Sequence, residues 1–131
     1  MSLSVPSALL EKAQRGPVDE AEFVACVRDS LPYAWNVISG LVSRLNDDKE
    51  AEYADNHVPP PDEAARGQLL RLLASDSMRA AVERHFGVKL AFQNCHRVAV
   101  FEPEAAAGDT YREFVSPRGQ LLNQSPEFVN C

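Results

Sequence analysis

Apolar positions recur at helical spacing through the first two thirds of the chain. Phe23, Val24, Val27 and Leu31 form one such set, and Ala34, Val37, Ile38, Leu41, Val42 and Leu45 form a longer one. Repeats at three, four and seven residues predict amphipathic helices over 19–31 and 32–46. A shorter helix is expected over 6–15, from Pro6 in its first turn to Gly16-Pro17 beyond its end. Pro32 suits the first position of the next helix. Gly40 lies inside that helix and is read as the mark of a close helix contact. Helical spacing returns after Pro61. Asp62 and Glu63 occupy the first turn, and Leu69, Leu70, Leu72 and Leu73 supply apolar surface. Ser75 can cap a following helix, DSMRAAVERHF, which Gly87 ends from the C′ position with Arg84 and His85 in the last turn.

After Gly87 the period shortens to two. Val88, Leu90 and Phe92 alternate with polar or small residues, Gln93-Asn94 has turn character, and CHRVAVF reads as a second strand. Both faces of that strand carry apolar residues, so both are expected to be covered. Residues 102–109 read as a loop. YREFVS and QLLNQ bracket Ser116-Pro117-Arg118-Gly119, which suits a type I turn and predicts a C-terminal hairpin, followed by the tail SPEFVNC. Residues 47–61 read as an acidic, then proline-rich connection. The expected fold is α+β: a single domain, 1–131, with a helical N-terminal region (1–31), a core (32–101) and a C-terminal hairpin and tail (102–131). Helices come first and a small antiparallel sheet follows. Leu41, Leu45, Leu69, Leu73, Val82, Phe86, Leu90, Val98 and Val100 should form the core.

Composition changes this picture little. The chain has 131 residues, 45% hydrophobic and 24% charged, which suits one globular domain. No apolar run is long enough for a membrane span, and the N-terminus lacks the basic region of a signal peptide. Charge is more informative. The net value is −6, which speaks against wholesale attraction to nucleic acid or anionic membrane. Residues 62–101, however, hold six Lys/Arg against four Asp/Glu, whereas residues 1–61 hold five against ten. Only the middle stretch favours an anionic partner.

That middle stretch also has the order helix, short turn, helix, hairpin, preceded by a helix at 32–46. This matches a winged helix-turn-helix at 62–101. In that reading the second helix exposes Ser77, Arg79, Glu83 and Arg84, and the wing carries Lys89, Gln93, Asn94 and Arg97. Arginine can pair with guanine, and either cation with phosphate. Asp76 and Glu83 on the reading helix weigh against it.

Other chemistry is sparse. Cys26, Cys95 and Cys131 are odd in number and widely spaced, with no CxxC, so no disulfide scaffold is read and a reducing compartment is expected. Cys95-His96 invites a thiol–imidazole reading, but neighbours on a strand point to opposite faces. His57, His85, Cys95, His96 and Cys131 show no metal-ligand spacing. No phosphate-binding glycine loop or hydrolase motif occurs. No cofactor is expected. Tyr33 and Trp35, beside Pro32, are of the types favoured in interfaces and in cores alike.

LPYAWNVISGLVSRL and GQLLRLLASDSMRAAVERHFGVKLAFQNCHRVAVF resemble a small uncharacterised protein family of cyanobacteria, over about 70 residues by inspection. The resemblance implies a bacterial cytoplasm or a stromal-side association with photosynthetic machinery, and carries no activity, cofactor or site residue. The function expected is a non-catalytic protein-interaction or regulatory protein of the cytoplasm. It would contact another protein through Tyr33, Trp35, His57, Arg79, Arg84, Lys89 and Arg97. One alternative is a winged-helix nucleic-acid-binding regulator using Arg79, Arg84, Lys89 and Arg97. The other is a small enzyme with Cys95 or His96 in a pocket.

Overall fold

The computed structural model describes residues 2–124. Five helices are formed where period and capping chemistry place them: α1 (Ser7–Arg15), α2 (Glu20–Ser30), α3 (Pro32–Asp47), α4 (Glu63–Ala74) and α5 (Asp76–Phe86). Their starts are chemically defined. Asp19 Oδ1 accepts from Ala21 N at 3.1 Å, Asp62 Oδ1 from Ala65 N at 2.8 Å, and Ser75 Oγ from Met78 N at 3.3 Å, each satisfying an amide the first turn leaves unpaired. Gly87 ends α5 in the left-handed region, at φ 66° and ψ 41°, where a side chain is costly.

Three strands follow a non-sequential order. β1 (Tyr53–Asp55), β2 (Lys89–Gln93) and β3 (Arg97–Phe101) form an antiparallel sheet ordered β1-β3-β2. β1 lies in the stretch expected to be irregular. It pairs Tyr53 with Phe101 and Asp55 with Ala99. The chain from α3 to β3 therefore runs helix, strand, helix, turn, helix, hairpin, with the first strand added beyond the hairpin's second. That is winged helix-turn-helix order.

The sheet is covered on both faces, as its sequence suggests. Leu90, Val98 and Val100 join Ile38, Leu41, Leu45, Leu69, Leu72 and Val82 in the main core, with Phe86 half-buried against it. The opposite face, with Ala91, Ala99 and Phe101, is closed by Phe114 and flanked by Tyr53, Ala105 and Tyr111. Tyr53 comes from β1, Ala105 from a 3-10 turn (Pro103–Ala107), and Tyr111 and Phe114 from a short helix, α6 (Asp109–Phe114), which a second short helix, α7 (Pro117–Leu122), follows.

The expected C-terminal hairpin is therefore corrected to a helical pair. Ser116 and Pro117 start a helix instead of a turn: Ser116 Oγ accepts from Gly119 N at 2.9 Å, and Pro117 takes the first helical position. Gly119 lets α7 close on α6, since a Cβ there would lie 2.1 Å from the Glu113 carbonyl oxygen. Gly40 does the reverse of what was expected: it is exposed, and a Cβ would meet nothing within 4 Å. The expected tail SPEFVNC lies outside the described residues.

Candidate interaction surface

The surface with most recognition potential is built by α5 and the β2–β3 hairpin. Its cations are engaged by carboxylates of the same molecule. Arg79 Nη2 lies 3.0 Å from Asp76 Oδ1, and its Nη1 donates to the Leu73 carbonyl at 3.1 Å. Arg84 binds Glu20 of α2 through Nε, at 2.7 Å, and through Nη2. That pairing lowers the Glu20 carboxyl below its ordinary range and raises the Arg84 guanidinium. Lys89 Nζ sits 3.6 Å from Glu83 Oε2. Arg97 binds Asp55 Oδ2 through Nε at 2.9 Å and Nη2 at 2.5 Å.

These pairs differ in kind. Arg79, Arg84 and Lys89 pair in or near solvent, where such contacts contribute little individually. Arg97 and Asp55 each expose only 12% of their side chains. Arg97 also donates Nη1 to Gln93 Oε1 at 3.3 Å and lies over the Phe114 ring at 5.1 Å. It fastens β1 and β3 to α6 and does not project as a wing contact. Gln93 is likewise corrected from wing to core: it is 2% exposed and donates Nε2 to the Phe114 carbonyl at 2.5 Å.

The remaining expected contact residues are scattered. Trp35 is half-buried against His85 and Phe86 of α5, with ring centroids 5.3 and 5.0 Å away, so it braces the helix core. Tyr33 is half-buried beside it. Burial first, and then Asp62, push its hydroxyl pKa up. The Tyr33 amide donates to Gln68 Oε1 at 2.8 Å. His57 stands apart from these, exposed, with Nε2 3.1 Å from Asp55 Oδ2.

Cys95 and His96 lie in the hairpin loop, because β3 begins only at Arg97. Asn94 and Cys95 hold φ of 52° and 49°, a conformation uncommon outside glycine. Cys95 is disulfide-bonded, while Cys26 keeps a buried free thiol. A disulfide sulfur is not the thiolate a cysteine nucleophile requires. His96 is enclosed, and its Nδ1 lies 2.7 Å from the Asn94 carbonyl. Burial lowers its pKa foremost, against that hydrogen bond, with smaller lowering by Arg97 and His57. Among the described residues no group of three or more His, Cys, Asp and Glu is placed to hold a metal.

Several depressions are formed among the described residues. One of about 420 Å³ lies between β1, β3 and α6–α7, lined by Tyr53, Arg97, Glu113 and Phe114 among others. A second, of about 360 Å³, follows the end of α5 past Arg84, Val88 and Lys89 to Pro103. The third, of about 310 Å³, runs along the outer edge of β2 and is lined by Leu73, Arg79, Lys89, Leu90, Ala91, Phe92 and Tyr111. Among the described residues no helix is long and apolar enough to cross a membrane.

Fold and surface together define a small α+β domain whose core has winged-helix element order and whose α5 and hairpin cations Arg79, Arg84, Lys89 and Arg97 are paired with carboxylates. The chain belongs to the family described as NucS shadow ORF, which matches it over residues 1–131. The match establishes membership and names no organism. No curated protein and no solved structure matches the chain.

Proposed function

We propose that this domain is a non-catalytic protein-interaction or regulatory module that uses winged-helix element order without binding nucleic acid. The observation that carries the reading is the internal pairing of Arg79, Arg84, Lys89 and Arg97 with Asp76, Glu20, Glu83 and Asp55. Affinity for a nucleic-acid backbone comes from cations that displace counterions from phosphates. Here each cation stands beside a carboxylate of equal and opposite charge. Arg97 is also held too deeply to reach a groove. The chain's net charge of −6 adds repulsion.

A protein partner makes different demands. Balanced, alternating charges suit specificity and orientation in docking. The alternative, a nucleic-acid regulator, keeps support from the element order alone, and fold does not fix function. Fluorescence anisotropy of a labelled duplex separates the two. The proposal predicts no saturable binding at about 50 mM salt. Tight binding that weakens steeply with salt and on Arg84→Ala would reverse it. The proposal places the domain in the cytoplasm, where a disulfide at Cys95 is exposed to reducing thiols. Alkylation mass shifts on protein taken from native cells read its state.

A further inference from the structure

The N-terminal segment lies along α2 and is lightly held. Residues 2–6 lead into α1, which runs antiparallel to α2: Ser4 meets Cys26 and Ser30 in the second half of α2, and Lys12 meets Glu22 near its start. Among the described residues, three side-chain links fasten residues 2–16 to the body. Ser4 N donates to Ser30 Oγ at 2.9 Å, the Cys26 thiol donates to the Ser4 carbonyl at 3.6 Å, and Lys12 Nζ donates to Glu22 Oε1 at 2.8 Å. The last is an exposed ion pair, which contributes little. The apolar attachment is also small. Leu9 is buried and Leu3 packs on the margin of the main core, whereas Val5 and Leu10 face solvent. Gly16 and Pro17, which join α1 to α2, are both exposed. The Gly16 amide is used inside the segment, on the Lys12 carbonyl at 3.1 Å, and Pro17 has none to give. By contrast, α2 is seated by buried Val24 and Val27, by Leu31 at its end, and by the Glu20–Arg84 pair to α5.

We propose that residues 2–16 form a strap that swings off α2 as a unit about Gly16-Pro17 while the rest of the domain stays folded, and that this opening governs access to the Cys26 thiol. The inference goes beyond the protein-interaction reading and does not depend on it. Segments with few buried apolar groups open at free energies well below that of global unfolding. Opening here gives up the burial of Leu9 and part of Leu3 and the links of Ser4 and Lys12. It leaves Val24, Val27 and Leu31 in the core. The hydrogen bonds inside α1 and its end at Gly16 belong to the strap itself, so they can move with it. Cys26 is the group most affected. Its thiol is buried between the Ser4 carbonyl and Ser30 Oγ, which is 3.9 Å away. Ser30 belongs to α2 and remains after opening, whereas the cover supplied by Ser4 leaves with the strap.

The test is alkylation of the folded, full chain by iodoacetamide without reductant, followed at Cys26 by peptide mass spectrometry over a series of urea concentrations below the unfolding transition. Labelling should be slower than in the unfolded chain and nearly flat in urea, because opening the strap exposes little surface. Leu9→Ala should speed it at least about tenfold by weakening the strap's main anchor. Val100→Ala, in the core and away from the strap, should lower the urea midpoint and leave the native labelling rate unchanged, since it weakens the closed and open forms alike. Hydrogen exchange supplies a second readout that needs no variant: the α1 amides should exchange together, well ahead of those of α3. Labelling that rises with urea as steeply as global unfolding, labelling indifferent to Leu9→Ala or accelerated equally by Val100→Ala, or α1 amides protected as long as those of α3 would each overturn the proposal. Wild-type labelling as fast as in the unfolded chain would do so too, by showing that the strap shields nothing.

Discussion

Replacing Asp55 by alanine removes the carboxylate that holds the Arg97 guanidinium at 2.9 and 2.5 Å. Both side chains are only 12% exposed, so the orphaned cation cannot regain full hydration. Breaking a fully buried pair costs about 3–5 kcal/mol. Here Arg97 keeps Gln93 Oε1 at 3.3 Å and the face of Phe114, which places the cost nearer about 2–3 kcal/mol. The contact from His57 adds little, because that ring is 68% exposed. For a domain of this length the loss is a fall of roughly 10 °C in Tm. Urea unfolding of wild type, Asp55→Ala, Arg97→Met and the double variant measures it. The double variant should lose less than the sum of the singles by at least about 1 kcal/mol, because Arg97→Met leaves no cation to strand. A cost below about 0.5 kcal/mol for Asp55→Ala, or additive singles, would refute the claim that Arg97 is structural.

Three further outcomes follow from the packing and charges. Burial holds the His96 pKa below its unfolded value of about 6.5, so the unfolded chain binds the extra proton first. That contribution to stability is complete above about pH 6.5 and is lost as pH falls through this value towards the folded pKa. Unfolding midpoints between pH 7.5 and 5 should fall less steeply for His96→Gln than for wild type, and parallel curves would contradict the assignment. Gly119→Ala drives a methyl into the Glu113 carbonyl and should cost about 1–3 kcal/mol in urea unfolding. A neutral result would show that α6 and α7 can part freely. Arg84→Ala breaks an exposed pair with Glu20 and should leave the thermal midpoint within experimental error.

What the sequence could disclose was set by how local each determinant is. The five N-terminal helices were legible because period, Asp19, Asp62 and Ser75 caps, and the Gly87 stop all act within a few residues. β1 was not. Tyr53-Ala54-Asp55 sits in an acidic, proline-flanked run, and only pairing with β3, more than 40 residues away, makes it a strand. The C-terminal hairpin failed for the opposite reason. Ser-Pro-x-Gly serves a turn or a helix start equally well, and contact with the open face of the sheet decided for the helix. The cations behaved likewise. Their clustering in 62–101 was visible, but Arg84 and Arg97 answer carboxylates 64 and 42 residues distant. Spacing therefore exposed a basic stretch that the fold had already balanced.

The most direct test of the protein-interaction reading is affinity capture of the tagged chain from its native lysate, with and without nuclease, quantified by mass spectrometry. The account predicts one stoichiometric protein partner that survives nuclease. Recovery dominated by nucleic acid and abolished by nuclease would contradict it, and so would a chain that captures nothing specific.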